Sequence, residues 1–109
     1  METTDIRKFQ GRTTEAVRVL AFLKAKPGKR EELESILKSL IAPTRNEPGN
    51  IAYVMHRSTK NPDDLMFDEI WVDMKSLEDH LKTSHMLSAL PKINDLLDAP
   101  LRIEAYSEV

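Results

Sequence analysis

Cysteine is absent from this chain of 109 residues. That excludes disulfides, thiolate metal sites and a cysteine nucleophile. No apolar run approaches the roughly 20 residues that a membrane-spanning helix requires. The polar N-terminus, METTDIRKFQGRTTE, lacks the apolar centre of a signal peptide. A cytoplasmic protein with no membrane partner is therefore expected. An excess of basic charge is also missing: 16 Lys and Arg stand against 18 Asp and Glu, for a net charge of −2. Without a basic stripe to neutralise a run of phosphates, nucleic acid is not an expected partner.

Hydrophobic residues make up 40% of the chain and charged residues 31%, the balance of a globular domain with one modest core. Residues 1–14 show no apolar period and are expected to be a mobile arm, with a single domain over residues 15–109. Glu15 to Ala25 reads as a strand, ended by Pro27-Gly28. Leu33, Ile36, Leu37, Leu40 and Ile41 then recur at helical spacing, predicting a helix of about four turns that Pro43 stops, or bends if it continues to Asn46. Glu47-Pro48-Gly49-Asn50 is a turn signal, followed by a strand over Ile51 to Ser58. Asn61-Pro62-Asp63-Asp64 connects it to a third strand, Leu65 to Asp73. Ser76 is the expected N-cap of a short helix, and Thr83 or Ser84 caps the next, which contains Pro91 and is expected to kink there. Ala99 to Ser107 reads as a fourth strand. The order strand, helix, two strands, broken helix, strand is that of an α+β, ferredoxin-like split βαβ unit with an antiparallel sheet. Its strands are apolar on both faces, as Val19 to Leu23 shows. Two helices cover one face, so a homodimer joined sheet to sheet is expected to cover the other.

The segment from Phe67 to Leu90 holds the candidate chemistry. It carries the single tryptophan, Trp71, and then two of the three histidines, His80 and His85, at a helix break. Imidazole titrates near cellular pH and so moves protons. His85 falls in the first turn of its helix, where the dipole disfavours protonation, and is the first candidate for a base; the alternative is a local hydrogen bond only. His80 shares a helix face with Leu77 and could orient a substrate oxygen or relay a proton, or else be a half-buried histidine satisfied by a carbonyl. Phe67, Glu69 and Trp71 share one strand face. Glu69 could hold a histidine in its useful tautomer, or simply pair with Arg18, Arg57 or Arg102. Trp71 could wall a pocket or pack in the core. Tyr53 and Met55 share a face and are candidates to line the pocket. His56 is expected to be structural or interfacial, and Arg45 to cap a helix end. No metal is expected: the two histidines lack i, i+4 spacing, and a third ligand would have to come from Glu69 or elsewhere.

Several of these features occur together in one family. Lys26-Pro27-Gly28, Pro43-Thr44-Arg45, Glu47-Pro48-Gly49, Glu69-Ile70-Trp71 and the run from His80 to Met86 resemble the antibiotic biosynthesis monooxygenase domain, a dimeric α+β barrel family, over about residues 18–106. The later segment is most similar to its quinol monooxygenases. The resemblance implies oxidation of a hydroquinone or similar small phenol by dioxygen with no cofactor, the substrate itself being the reductant. For that chemistry the candidates are His85, His80 and Glu69 as catalytic groups and Tyr53, Met55, Phe67, Trp71 and Met86 as the substrate pocket. Haem-degrading relatives of the fold use an asparagine in the first strand and a histidine on the helix after the break. The first strand here has no asparagine, and the helix beyond Met86 offers Leu87, Leu90 and Ile93 but no histidine, which argues against haem. Two other readings stay open: a small-metabolite isomerase of the same fold, and a non-catalytic dimer that binds a small aromatic ligand.

Overall fold

Although Val19 to Leu23 is continuously apolar, the strand geometry sorts it by alternation. In the computed structural model, which describes residues 15–109, β1 is Val17–Lys24. Val17, Val19, Ala21 and Leu23 point into the core, while Leu20 and Phe22 lie half-buried on the opposite face. The expected N-terminal arm lies outside the described residues. Gly28, at φ +79°, turns the chain in the left-handed region that glycine adopts without strain.

The first helix is shorter than its apolar period predicts. α1 is Arg30–Ser39, and a separate turn of helix, α2, is Ile41–Arg45. Proline lacks an N–H, so Pro43 cannot bond to the carbonyl four residues back. The helix restarts after Leu40 and puts Pro43 in a first turn, where a missing N–H costs little. Pro43 thus neither stops the chain nor bends a continuous helix.

β2 is Asn50–Arg57 and β3 is Asp64–Trp71, joined by the expected turn, in which Asp64 N–H donates to Asn61 O at 2.9 Å. A register irregularity between Asn50 and Ala52 sets Tyr53 opposite Glu69 on the inner face. α3 is Met74–His80. Its N-cap is Asp73, not Ser76: the Asp73 carboxylate accepts from Ser76 N–H at 2.8 Å. An ionised side chain at an extended position outcompetes a serine already within the first turn. α4 is Ser84–Leu96, capped by Thr83, and it runs through the exposed Pro91 without ending there. β4 is Arg102–Ser107, starting later than expected; Pro100, just before it, has no N–H for the ladder.

The sheet order is β2-β3-β1-β4 with every pairing antiparallel, the α+β ferredoxin-like arrangement. The main core lies between the inner face and the helices, with Leu33, Leu37, Phe67, Ile93 and Leu96 among its buried members. The outer face carries Leu20, Phe22, Val54 and Met66 among charged groups. There Arg18 pairs with Asp68, and the Arg102 guanidinium lies 4.1 Å from the Phe22 ring centre.

Candidate active site

Three pieces of chain meet at the α3–α4 junction. His80 ends α3 and is 2% exposed. Thr83 holds the break: its hydroxyl donates to His80 O at 2.8 Å and accepts from Met86 N–H. That starts α4 with His85 as its second residue. The third piece is the 47–50 turn, closed by Asn50 N–H donating to Glu47 O at 3.1 Å. Gly49 lets this turn lie against α3. A Cβ there would stand 2.3 Å from the Ser76 Cβ, which no packing tolerates.

The turn delivers Glu47 to both histidines. Its Oε2 lies 2.8 Å from His80 Nδ1 and 2.7 Å from His85 Nε2. A carboxylate only accepts, so each facing ring nitrogen carries the proton. In His80 this leaves the lone pair on Nε2. The three donor atoms lie within 4.8 Å of one another and are chemically able to hold a metal ion.

His80 also lines a cavity between the inner sheet face and the helices, with Tyr53, Phe67, Glu69, Met86 and Leu90. The cavity volume is about 40 Å³. Burial acts on each polar group in it. The Glu69 carboxyl is pushed up to about 7, chiefly by desolvation, opposed by the indole hydrogen bond and helped by the Glu47 charge. Burial likewise raises the Tyr53 phenol, with the Glu69 charge adding to it. It lowers the His80 imidazole, against the favourable Glu47 contact. An apolar chamber thus presents a neutral phenol, a carboxyl that titrates near neutrality and a neutral imidazole. Tyr53 stacks on Phe67 at 4.4 Å and meets His80 edge-on at 5.7 Å, fixing the ring orientations.

The expected site residues are partly brought together. Tyr53, Phe67, Glu69, His80 and Met86 share the cavity. Trp71 does not line it: the indole is fully buried in a second small cluster with Val17, Val19 and Leu77, and tilts against His80 at 4.7 Å. Met55 packs against the edge of the core instead. His85 is in the first turn, as expected, but faces Glu47 rather than the cavity, and its side chain is 22% exposed.

Glu69 orients no histidine. Its Oε1 accepts from Trp71 Nε1 at 2.9 Å, because residues two apart on a strand face touch before distant ones can. Nor does it pair with arginine: Arg18, Arg57 and Arg102 pair with Asp68, Glu34 and Glu104. Arg45 caps no helix carbonyl; its guanidinium donates to Tyr53 O at 2.8 Å. His56 is exposed on the outer sheet face. Sequence reading missed Glu47, whose place in Glu-Pro-Gly accounted for it as a turn residue.

A protein-family model described as antibiotic biosynthesis monooxygenase matches residues 16–92, a span holding Glu47, Glu69, His80 and His85. This chain belongs to the antibiotic biosynthesis monooxygenase family. It is 34% identical over 83 residues to a Bacillus subtilis protein named "Putative monooxygenase YcnE", covering 76% of this chain and 87% of that one. It is 32% identical over 84 residues to the uncharacterized protein sll1783 of Synechocystis, covering 77% of this chain and 57% of that protein. The chain therefore spans little more than half of that relative's length. Among solved structures, a conserved protein from Methanosarcina mazei Go1 superimposes with a TM-score of 0.86 at 33% identity, over 94% of this chain and 99% of that one. No helix among the described residues is long and apolar enough to cross a membrane.

Proposed function

We propose that this protein oxidises a hydroquinone or similar small phenol with dioxygen, without a metal or organic cofactor, and that His80 rather than His85 is its base. The observation that carries this is the Glu47–His80 contact at the wall of an apolar cavity. Glu47 holds the proton on Nδ1, so Nε2 accepts the phenolic proton within hydrogen-bond reach of a ligand. The phenolate passes one electron to dioxygen. The radical pair joins at a ring carbon, and the hydroperoxide loses water. A hydroquinone plus dioxygen gives a hydroxyquinone plus water, with all four electrons drawn from the ring. Glu69, neutral below about pH 7, donates a hydrogen bond to a substrate oxygen. His85, half-buried on the far side of Glu47, passes the proton on to solvent.

The cavity must open for this. An engineered cavity that admits benzene measures about 150 Å³, against about 40 Å³ here. The exposed Leu81 and Ile103 and the half-buried Leu90 and Leu101 are the lining side chains with most room to swing aside. The half-buried Leu20 and Phe22 and the exposed Val54 support a homodimer joined through the outer sheet faces.

Oxygen uptake by metal-free protein with a panel of reduced quinones and phenols tests the reading. Uptake that His80→Ala abolishes and His85→Ala only reduces is the expected result. A cavity this small, with a carboxyl pushed up to about 7 and an imidazole that burial keeps neutral, also suits proton-transfer isomerisation of a small oxygenated metabolite. Uptake that is absent on every substrate, with ligand binding retained, would favour that reading or a non-catalytic aromatic binder.

A further inference from the structure

We propose that Glu47, His80 and His85 form a site for one divalent transition-metal ion, and that filling this site turns His80 from a proton acceptor into a donor. The binding stands on the geometry alone; its effect on turnover rests on the reading of His80 as base.

Two imidazoles and one carboxylate are the ligand types that suit zinc, cobalt and nickel rather than calcium or magnesium, which take more oxygens. Three protein ligands with a fourth position left open is the composition of catalytic and regulatory zinc sites. Here the donor atoms all lie within 4.8 Å of one another. Both nitrogens already point at one oxygen, at 2.8 and 2.7 Å. Bonds of about 2.0–2.1 Å to a tetrahedral ion put ligand atoms about 3.3 Å apart. The two contacts therefore open by about half an ångström while the nitrogens draw together, a movement within reach of side-chain rotation.

The surroundings favour such a site. The side chains are 2%, 11% and 22% exposed for His80, Glu47 and His85, so the ion would be largely shielded and would enter past His85. Their backbones are set by the Gly49–Ser76 contact and by the Thr83 bridge, not by flexible loops.

A metal on Nδ1 has a defined consequence for the ring. The proton that Nδ1 directs at Glu47 is displaced by the metal, and Nε2 takes one up from solvent, with no net proton released. Nε2 then offers an N–H to the cavity and cannot accept a proton from a phenol. The same residues that orient the base would, when metallated, switch it off.

The chain suits a direct test, since its histidines are His56, His80 and His85 alone and it has no cysteine. Untagged protein titrated with Co²⁺ should bind one ion per chain with visible d–d absorption that Zn²⁺ competes away. His85→Ala, whose metal-free melting temperature should stay near that of the wild type, should bind at least tenfold more weakly. His56→Ala should bind unchanged. No d–d absorption, or equal affinity in wild type and His85→Ala, overturns the site. Imidazole nitrogen NMR of the zinc-saturated protein should show the His80 proton on Nε2, and a proton still on Nδ1 overturns the switch. None of these readouts depends on turnover. Binding together with a failed oxygen-uptake panel would sink the oxygenase reading and leave the metal site standing.

Discussion

Asp68 and Glu69 are neighbours on β3 and point to opposite faces of one sheet. Outside, Asp68 meets Arg18 in an ion pair whose side chains are 25% and 59% exposed. Inside, Glu69 meets no cation among the described residues. It accepts from an indole and sits 5% exposed beside a histidine, a tyrosine and a second carboxylate's field. The outer face therefore leaves its ion pair partly in water, where interactions are weak and salt-screened. The inner face makes charge expensive and drives Glu69 and His80 toward their neutral forms. One residue's step along a strand separates a surface carboxylate from a group able to take part in proton transfer.

The largest effect expected across this divide is on turnover. His80→Ala should lower the rate by about 10²–10⁴, the usual worth of a positioned general base. His85→Ala should cost about tenfold or less, since it acts through Glu47. Equal losses, measured by oxygen uptake, would place the base elsewhere.

Next comes Gly49→Ala, which drives a methyl into the Ser76 Cβ and pushes the Glu47 turn off α3. It should destabilise by about 1–3 kcal/mol, as overpacking against backbone-fixed atoms does. Chemical denaturation should show that loss, and Glu47 contacts to both histidines should weaken with it.

Glu69→Gln comes third and tests the inner face by pH. Glu69 titrates near 7 when folded and near 4.5 when unfolded, so between those values the folded state holds more protons. Its favourable contribution is complete below about pH 4.5 and is lost as pH rises through 7. The loss is at most about 3 kcal/mol. Glutamine keeps an acceptor for Trp71 without the titration. The variant should therefore be the more stable protein at pH 8.5, with the gap closing by pH 5. A gap independent of pH would refute the buried-carboxyl assignment.

The smallest effect belongs to the outer face. Arg18→Ala should cost less than about 1 kcal/mol in dilute, monomeric protein and less still at high salt. A loss that grows with protein concentration would mean that a second copy covers this face.

Much of this was legible in sequence because it is local. The helical recurrence of Leu33, Leu37 and Leu40, the alternation in β1, the turns at Glu47-Pro-Gly and Asn61-Pro-Asp, and the capping of α4 by Thr83 each depend on a few adjacent residues. Where local reading missed, a competing local interaction had won. Pro43 restarted a helix instead of ending it, and Asp73 took the cap that Ser76 was expected to hold. The shared face of Phe67, Glu69 and Trp71 follows from strand geometry, but that this face and Tyr53 turn inward does not.

What sequence could not decide was which of those groups would meet. Glu47 stands 33 and 38 residues from the histidines it bridges. No periodicity relates a turn after α2 to a break between α3 and α4. The β2–β3 pairing and a glycine small enough to admit Ser76 bring them together. Tertiary packing also chose between the two histidines, turning His80 to the cavity and His85 to the far side of Glu47. It set the state of Glu69 as well, because desolvation is a property of everything around a carboxyl. Sequence by itself determined the elements and their faces, which are set by neighbours along the chain. The long-range approach of Glu47 and the dielectric around Glu69 and His80 were decided by the fold alone.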